Sequence, residues 1–303
     1  MKKTLILISL VITLSMSIVA QQDTTKYWTK EIKAGLNFSQ GYLSNWAAGG
    51  TSSINPQVFL FSKFNYAKEK LKWDNSINFV LGYNIIGTSK PLKTDDYFEI
   101  NSLLGQKINE KVYYSLAFSF KSQTNKGYDY KADSTTPISA FLSPGYVTLG
   151  VGVDWVPNKI FSVNIAPVTA RGTIVTDQAL ADQGAFGVKK AEYDANGNIT
   201  QNGENFRLEF GGKLSAKFDL PIAKNVNLLS KFELFSNYLK NVQNIDVDWQ
   251  NILTMKVNSW LQATVTARLI YDDDIMITDK NGKTGPRTQF KESTSIGIIY
   301  IIK

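Results

Sequence analysis

A chain of 303 residues without a single cysteine or histidine rules out several chemistries at once. Disulfides, thiol chemistry and lipid attachment through cysteine are excluded, and so are the imidazole general base and the commonest transition-metal ligand. The formal charge of +7 is modest and contains no basic run longer than two residues, which excludes a nucleic-acid footprint.

The chain opens with Lys2 and Lys3, an apolar stretch from Leu5 to Val19, and the small Ala20 ahead of Gln21-Gln22-Asp23. This is the pattern of a secretory signal peptide cut after about Ala20. The apolar stretch is short for an uncleaved membrane anchor. Removal of residues 1–20 leaves 31 basic against 26 acidic residues, a charge of +5. No Pro- or Ser-rich linker follows, so residues 21–303 are expected to form one domain. No later apolar run reaches the ~20 residues of a membrane helix, so membrane residence requires strands.

Strict two-residue alternation supplies them. It predicts strands near 30–40, 52–66, 71–86, 97–108, 112–123, 144–156, 160–170, 205–220, 226–239, 245–257, 260–272 and 289–302. The clearest places Leu261, Ala263, Val265, Ala267, Leu269 and Tyr271 on one face, with Gln262, Thr264, Thr266 and Arg268 on the other. Twelve is an even number, as a single-chain bacterial barrel requires. The connections alternate between turns of two to five residues and longer polar links near 41–51, 87–96, 124–143, 171–204, 240–244 and 273–288. Tyr66, Trp73, Tyr114, Trp155, Phe161, Phe218 and Tyr300 cluster at the short-turn ends. Tyr83, Tyr238, Trp249, Tyr271 and Phe290 cluster at the long-loop ends. Two aromatic girdles and alternating link lengths point to an all-β fold: a transmembrane antiparallel up-and-down β-barrel of about twelve strands, with short periplasmic turns and long external loops. A soluble sandwich or lipocalin-like barrel alternates too, but its strands peak at about 5–6 residues. The expected location is the cell outer membrane.

The polar face then becomes the lumen. Arg207, Glu209, Lys213, Lys217, Lys231, Glu233, Asp246, Asp248 and Arg268 are the candidate lumen charges, joined by Lys63, Lys72, Asp74, Lys121, Asp154, Lys256 and Asp272. Charged linings set solute selectivity or pair across strands; the mixed signs favour pairing. Asp272-Asp273-Asp274 with Asp279 has oxygen ligands suited to a hard cation but lacks EF-hand spacing, and reads as a solvated acidic loop. No catalytic residues, cofactor or metal site are expected.

The last strand, Ser295 to Lys303, resembles the C-terminal β-signal read by the barrel assembly machinery: Ser295, Gly297, Tyr300 and Ile302 match its places, while Ile302 stands where an aromatic is usual. Gly35-Leu36-Asn37-Phe38-Ser39-Gln40 followed by Leu43-Ser44-Asn45-Trp46-Ala47-Ala48-Gly49-Gly50 resembles the opening of an uncharacterised bacteroidete outer-membrane β-barrel family, known only as a domain of unknown function. That resemblance implies fold and location and brings no ligand. Trp46 reads as a rim residue. The implied partners are outer-membrane lipid, the assembly machinery during biogenesis and an envelope protein; no nucleic acid is expected. Two functions fit: a narrow channel for small solutes, or a non-conducting structural or accessory subunit of an envelope complex.

Overall fold

A computed structural model describes residues 27–41, 52–130, 133–279 and 281–303. The expected export signal over 1–20 and most of the first long loop, including Trp46, lie outside the described residues. Twelve long strands follow one another: β1 (Trp28–Gly41), β2 (Ser53–Lys68), β3 (Leu71–Ile86), β4 (Leu92–Lys107), β5 (Val112–Ser122) and β6 (Gly145–Trp155). The second half comprises β7 (Phe161–Ile174), β8 (Phe206–Ala223), β9 (Val226–Asn237), β10 (Ile245–Lys256), β11 (Leu261–Tyr271) and β12 (Gln289–Ile302). Each pairs antiparallel with its chain neighbours, and β12 returns to β1, so the sheet closes on itself. Closure removes the free edges that lipid cannot satisfy. The closing seam is short: Ile32–Phe38 against Ile296–Ile302 makes seven residue pairs, whereas β1 and β2 pair from Trp28 to Gly41.

The short turns share a chemical device. The side-chain oxygen of Asn109 accepts the N–H groups of Lys111 and Val112, Asn158 those of Ile160 and Phe161, and Asn258 those of Trp260 and Leu261. An asparagine side chain thereby substitutes for the first backbone acceptor of each hairpin. The two remaining turns place Glu69 and Asn225 at positive φ, 51° and 65°.

Exposure is inverted relative to a soluble protein. Val168 is 67% exposed and Tyr300 70%, whereas Glu209 is 2% and Asp154 3% exposed. Apolar side chains outside and charges inside are the distribution of a bilayer-spanning barrel. The lower girdle is continuous across neighbouring strands, with Trp28 5.2 Å from Tyr66 and 6.0 Å from Trp73, and Phe161 4.4 Å from Phe218. Outer-girdle Trp249 donates its indole N–H to Ser230 at 3.0 Å.

Two strands depart from the expected bounds for local reasons. Strand β4 begins at Leu92, five residues before the expected start, because Lys93 pairs with Tyr83 through an irregularity beside Gly82. The carboxylate of Asp96 there accepts the backbone N–H groups of Thr124 and Asn125 and a proton of Lys93, pinning the next outer loop to the rim. The link after β3 shrinks accordingly to residues 87–91. Strand β7 continues to Ile174 past a bulge at Ala166–Val168, where its register shifts against both neighbours. Pro167 has no N–H to give the ladder, so a bulge is where it fits.

Candidate functional site

The lumen is crossed by charged side chains at three levels. At the turn end, Lys72 on β3 pairs with Asp154 on β6, three strands away, and its ammonium lies 4.3 Å from the Tyr113 ring. Lys217 lies 3.5 Å from Asp219 on the same strand, and Lys63 and Asp74 share this level by register with Ser76 and Asn65.

The middle level reaches from wall to wall. Lys121 on β5 lies 3.5 Å from Glu99 on β4, 3.2 Å from Glu233 on β9 and 3.7 Å from Asp248 on β10. Strands β5 and β10 stand five apart around the ring of twelve. Glu233 also takes Lys213 at 3.2 Å, and Arg268 grips Asp248 with two hydrogen bonds of 2.9 and 2.6 Å. Bidentate guanidinium–carboxylate pairs fix geometry as well as charge. Lys231 shares the inward face of β9 with Glu233 and Phe235.

The upper level centres on Glu209. Its carboxylate accepts two hydrogen bonds of 2.9 Å from Arg171, one of 2.8 Å from Arg207 and one of 3.1 Å from Asn237. Arg171 reaches Asp246 at 2.6 Å and lies over the Phe235 ring at 4.1 Å. Arg207 reaches Asp274 at 2.7 Å, and Lys240 meets the same carboxylate at 3.1 Å. Lys256 ends β10 at the opposite rim and is exposed.

The wall between β12 and β4 is different. Phe59, Val80 and Ile299 are buried together inside the barrel, with Phe61, Tyr97 and Ile301 packed against them. Gly35 permits this, since a Cβ there would collide with the Phe59 ring and the Ile298 carbonyl. The equation of lumen with polar face fails along this wall.

One outer loop packs onto the upper charges. Residues 175–205 fold into a small cap, with a helix at Gln178–Asp182 capped by Asp177 and a core of Val175, Leu180, Ala181 and Val188. Gly187, at φ +79°, sits where any Cβ would strike Arg207 and Asp274, so the cap rests on the upper charges. Asn244 donates to Asp273 at 2.7 Å. The expected solvated acidic loop is therefore corrected in part: Asp273 and Asp274 bind neighbouring segments, and Asp279 is held by Arg287 at 2.6 Å. Carboxylate oxygens of Asp246, Asp272 and Asp273 lie within 4.8 Å of one another, but Arg171 already balances Asp246.

Burial alone would push Asp274 up, but Arg207 and Lys240 outweigh it and hold the carboxyl below its ordinary 3.8. Asp272 moves the other way, raised by burial against the pull of Arg171. A depressed folded-state pKa gives stability that is present above the unfolded value and lost as pH falls through the folded one. The Asp274 junction is thus expected to hold at neutral and mildly acidic pH and to loosen only below about pH 4. Ionised Asp272 opposes folding, a cost relieved by protonation, so the two carboxyls act in opposite senses. Protease nicking of residues 175–205 across a pH series checks the junction: release already at pH 6 would contradict it.

The structure sets all the expected lumen charges of β8 to β11 on the inward face and brings most into these networks. It adds Glu99 and Arg171. In the matched end of β12, Ser295 and Gly297 face inward, and Tyr300 and Ile302 outward by alternation.

A family model described as protein of unknown function (DUF3078) matches residues 38–128, from the end of β1 into the loop after β5. No curated protein matches the sequence. Among solved structures, the COG4313 outer membrane channel from Pseudomonas putida F1 is similar at 9% identity, covering 93% of this chain and 100% of that chain with a TM-score of 0.40. The NanC porin gives 9% identity, 90% and 98% coverage and 0.36. The translocator domain of the autotransporter NalP from Neisseria meningitidis gives 8%, 99% and 97%, and 0.34. At these scores the likenesses carry no argument about what passes through or docks on this barrel.

Proposed function

We propose that the protein is an outer-membrane β-barrel with a shut lumen, acting as a structural or accessory component of the envelope rather than as an open channel for small solutes. One observation carries this reading: the continuous set of ion pairs from Glu99 and Lys121 to Glu233, Asp248 and Arg268 on the opposite wall. An open pore keeps opposing charges apart so that water and solute pass between them; here they touch. The apolar wall around Phe59 and Ile299 and the cap on Arg207 narrow what space is left.

The apolar exterior and paired girdles favour a bilayer as the surroundings, and the match of Ser295, Gly297 and Tyr300 favours delivery by the barrel assembly machinery. The reading includes no catalytic step; the lumen carboxylates are engaged by arginine and lysine. An envelope protein is its natural partner.

Planar-bilayer recording of the purified barrel, shown to be folded by heat-modifiable gel migration, tests the proposal. The expected record is silent at physiological salt. Reproducible unitary steps from the unaltered protein would overturn the shut lumen in favour of the narrow channel.

A further inference from the structure

The fold gathers charges that the sequence leaves scattered. Every short turn carries an exposed lysine at or beside it: Lys68 and Lys70, Lys111, Lys159, Lys224, and Lys256. Lys30 at the start of β1 and Lys303 after β12 complete the circuit. The exposed acids at these turns are Glu69 and Glu110. In strand order the lysines are spread around the whole ring rather than over one side. A protein partner would meet a one-sided patch; a ligand that surrounds the barrel meets a ring.

The ring lies immediately outside the lower aromatic girdle, at the level where a bilayer passes from acyl chains to headgroups. One recess on it is a cavity of about 590 Å³ between the turn after β10 and the end of β12. Lys256 and Lys303 supply ammonium groups there, Asn258 and Ser259 polar groups, Trp260 and Tyr300 aromatic walls, and Ile299 and Ile301 an apolar floor continuous with the internal apolar wall. Tyr300 faces lipid by alternation and is 70% exposed, and Trp260, in the turn itself, is 51% exposed. Cations beside exposed aromatics at a headgroup boundary match a phosphate-bearing amphiphile, with its acyl chains along the rings and its phosphate on the lysines.

We propose that the short-turn end of the barrel binds anionic phospholipid headgroups, and that the recess formed by Lys256, Asn258, Ser259, Trp260, Tyr300 and Lys303 is its principal seat. This rests on the reading of the barrel as membrane-embedded. The lipid acts as a collar that sets the depth and tilt of the barrel from the periplasmic side.

Native mass spectrometry of the full barrel in detergent, titrated separately with dioleoyl phosphatidylglycerol and dioleoyl phosphatidylcholine, tests it. The parent is expected to retain phosphatidylglycerol preferentially. The K256Q/K303Q double variant should need about 30-fold more of it, from roughly fivefold per lysine near a charged surface. K90Q, in an outer loop, should behave as the parent. Equal retention of the two lipids, or unchanged retention by K256Q/K303Q, would overturn the proposal. So would selective capture of an acidic polypeptide in the absence of any lipid preference. Insertion into pure phosphatidylcholine vesicles, followed by heat-modifiable migration, tests membrane residence separately. Intact insertion without lipid preference therefore sinks the headgroup site alone.

Discussion

Glu209→Gln is expected to destabilise the barrel by about 3–5 kcal/mol, the usual cost of removing one partner from a buried charge network. The substitution keeps the side-chain shape but removes the buried charge that Arg171 and Arg207 share, only 2% exposed, and leaves each guanidinium one carboxylate, Asp246 or Asp274. Urea unfolding followed by heat-modifiable migration reads the change. A loss under about 1 kcal/mol, the range of a solvent-exposed pair, would mean that water already bathes both guanidinium groups. The upper lumen would then be wet, and its closure would have to be sought elsewhere.

Lys121→Ala should convert a silent barrel into one that conducts. Among the described residues only Lys121 touches carboxylates on β4, β9 and β10, so its removal cuts the middle-level bridge and leaves Glu99, Glu233 and Asp248 to draw water inward. Discrete steps in planar bilayers, absent in the parent, are the expected result. A variant that folds and stays silent would move the seal to the Phe59–Ile299 wall or to the cap on Arg207.

All twelve strands were legible because each keeps one face in lipid and the other away from it, a constraint that writes period two into the sequence. Strand ends were less legible. Lys93 to Asp96 looks like a loop, yet it is strand because Asp96 anchors residues 124 and 125. The central lumen charges could be read from parity on β8 to β11, where the alternation runs unbroken through the charged positions, the one irregularity of β8 lying beyond them at Pro221–Ala223. Arg171 could not. The bulge at Pro167 inverts the alternation, so counting on from Asn164 sends residue 171 to the wrong face. The apolar wall left a signal in runs such as Phe59-Leu60-Phe61 and Ile298-Ile299, where consecutive apolar residues mark strands buried on both sides. The pairing of Lys121 across the ring had no local signature, because its partners lie up to 127 residues away. Nor did the lysine ring, since no basic run longer than two residues builds it.

The Asn109, Asn158 and Asn258 turns make each hairpin a local event, and eleven of the twelve strand interfaces join neighbours in sequence. The twelfth, Ile32–Phe38 against Ile296–Ile302, joins segments some 260 residues apart through seven residue pairs. The largest single loop-closure cost therefore falls on the interface with the fewest residue pairs to offset it. The chain behaves as a ribbon of ready-made hairpins whose rate of maturation is set by a single late stitch. A helper that holds the last strand against the first would speed that step more than any substitution within the hairpins.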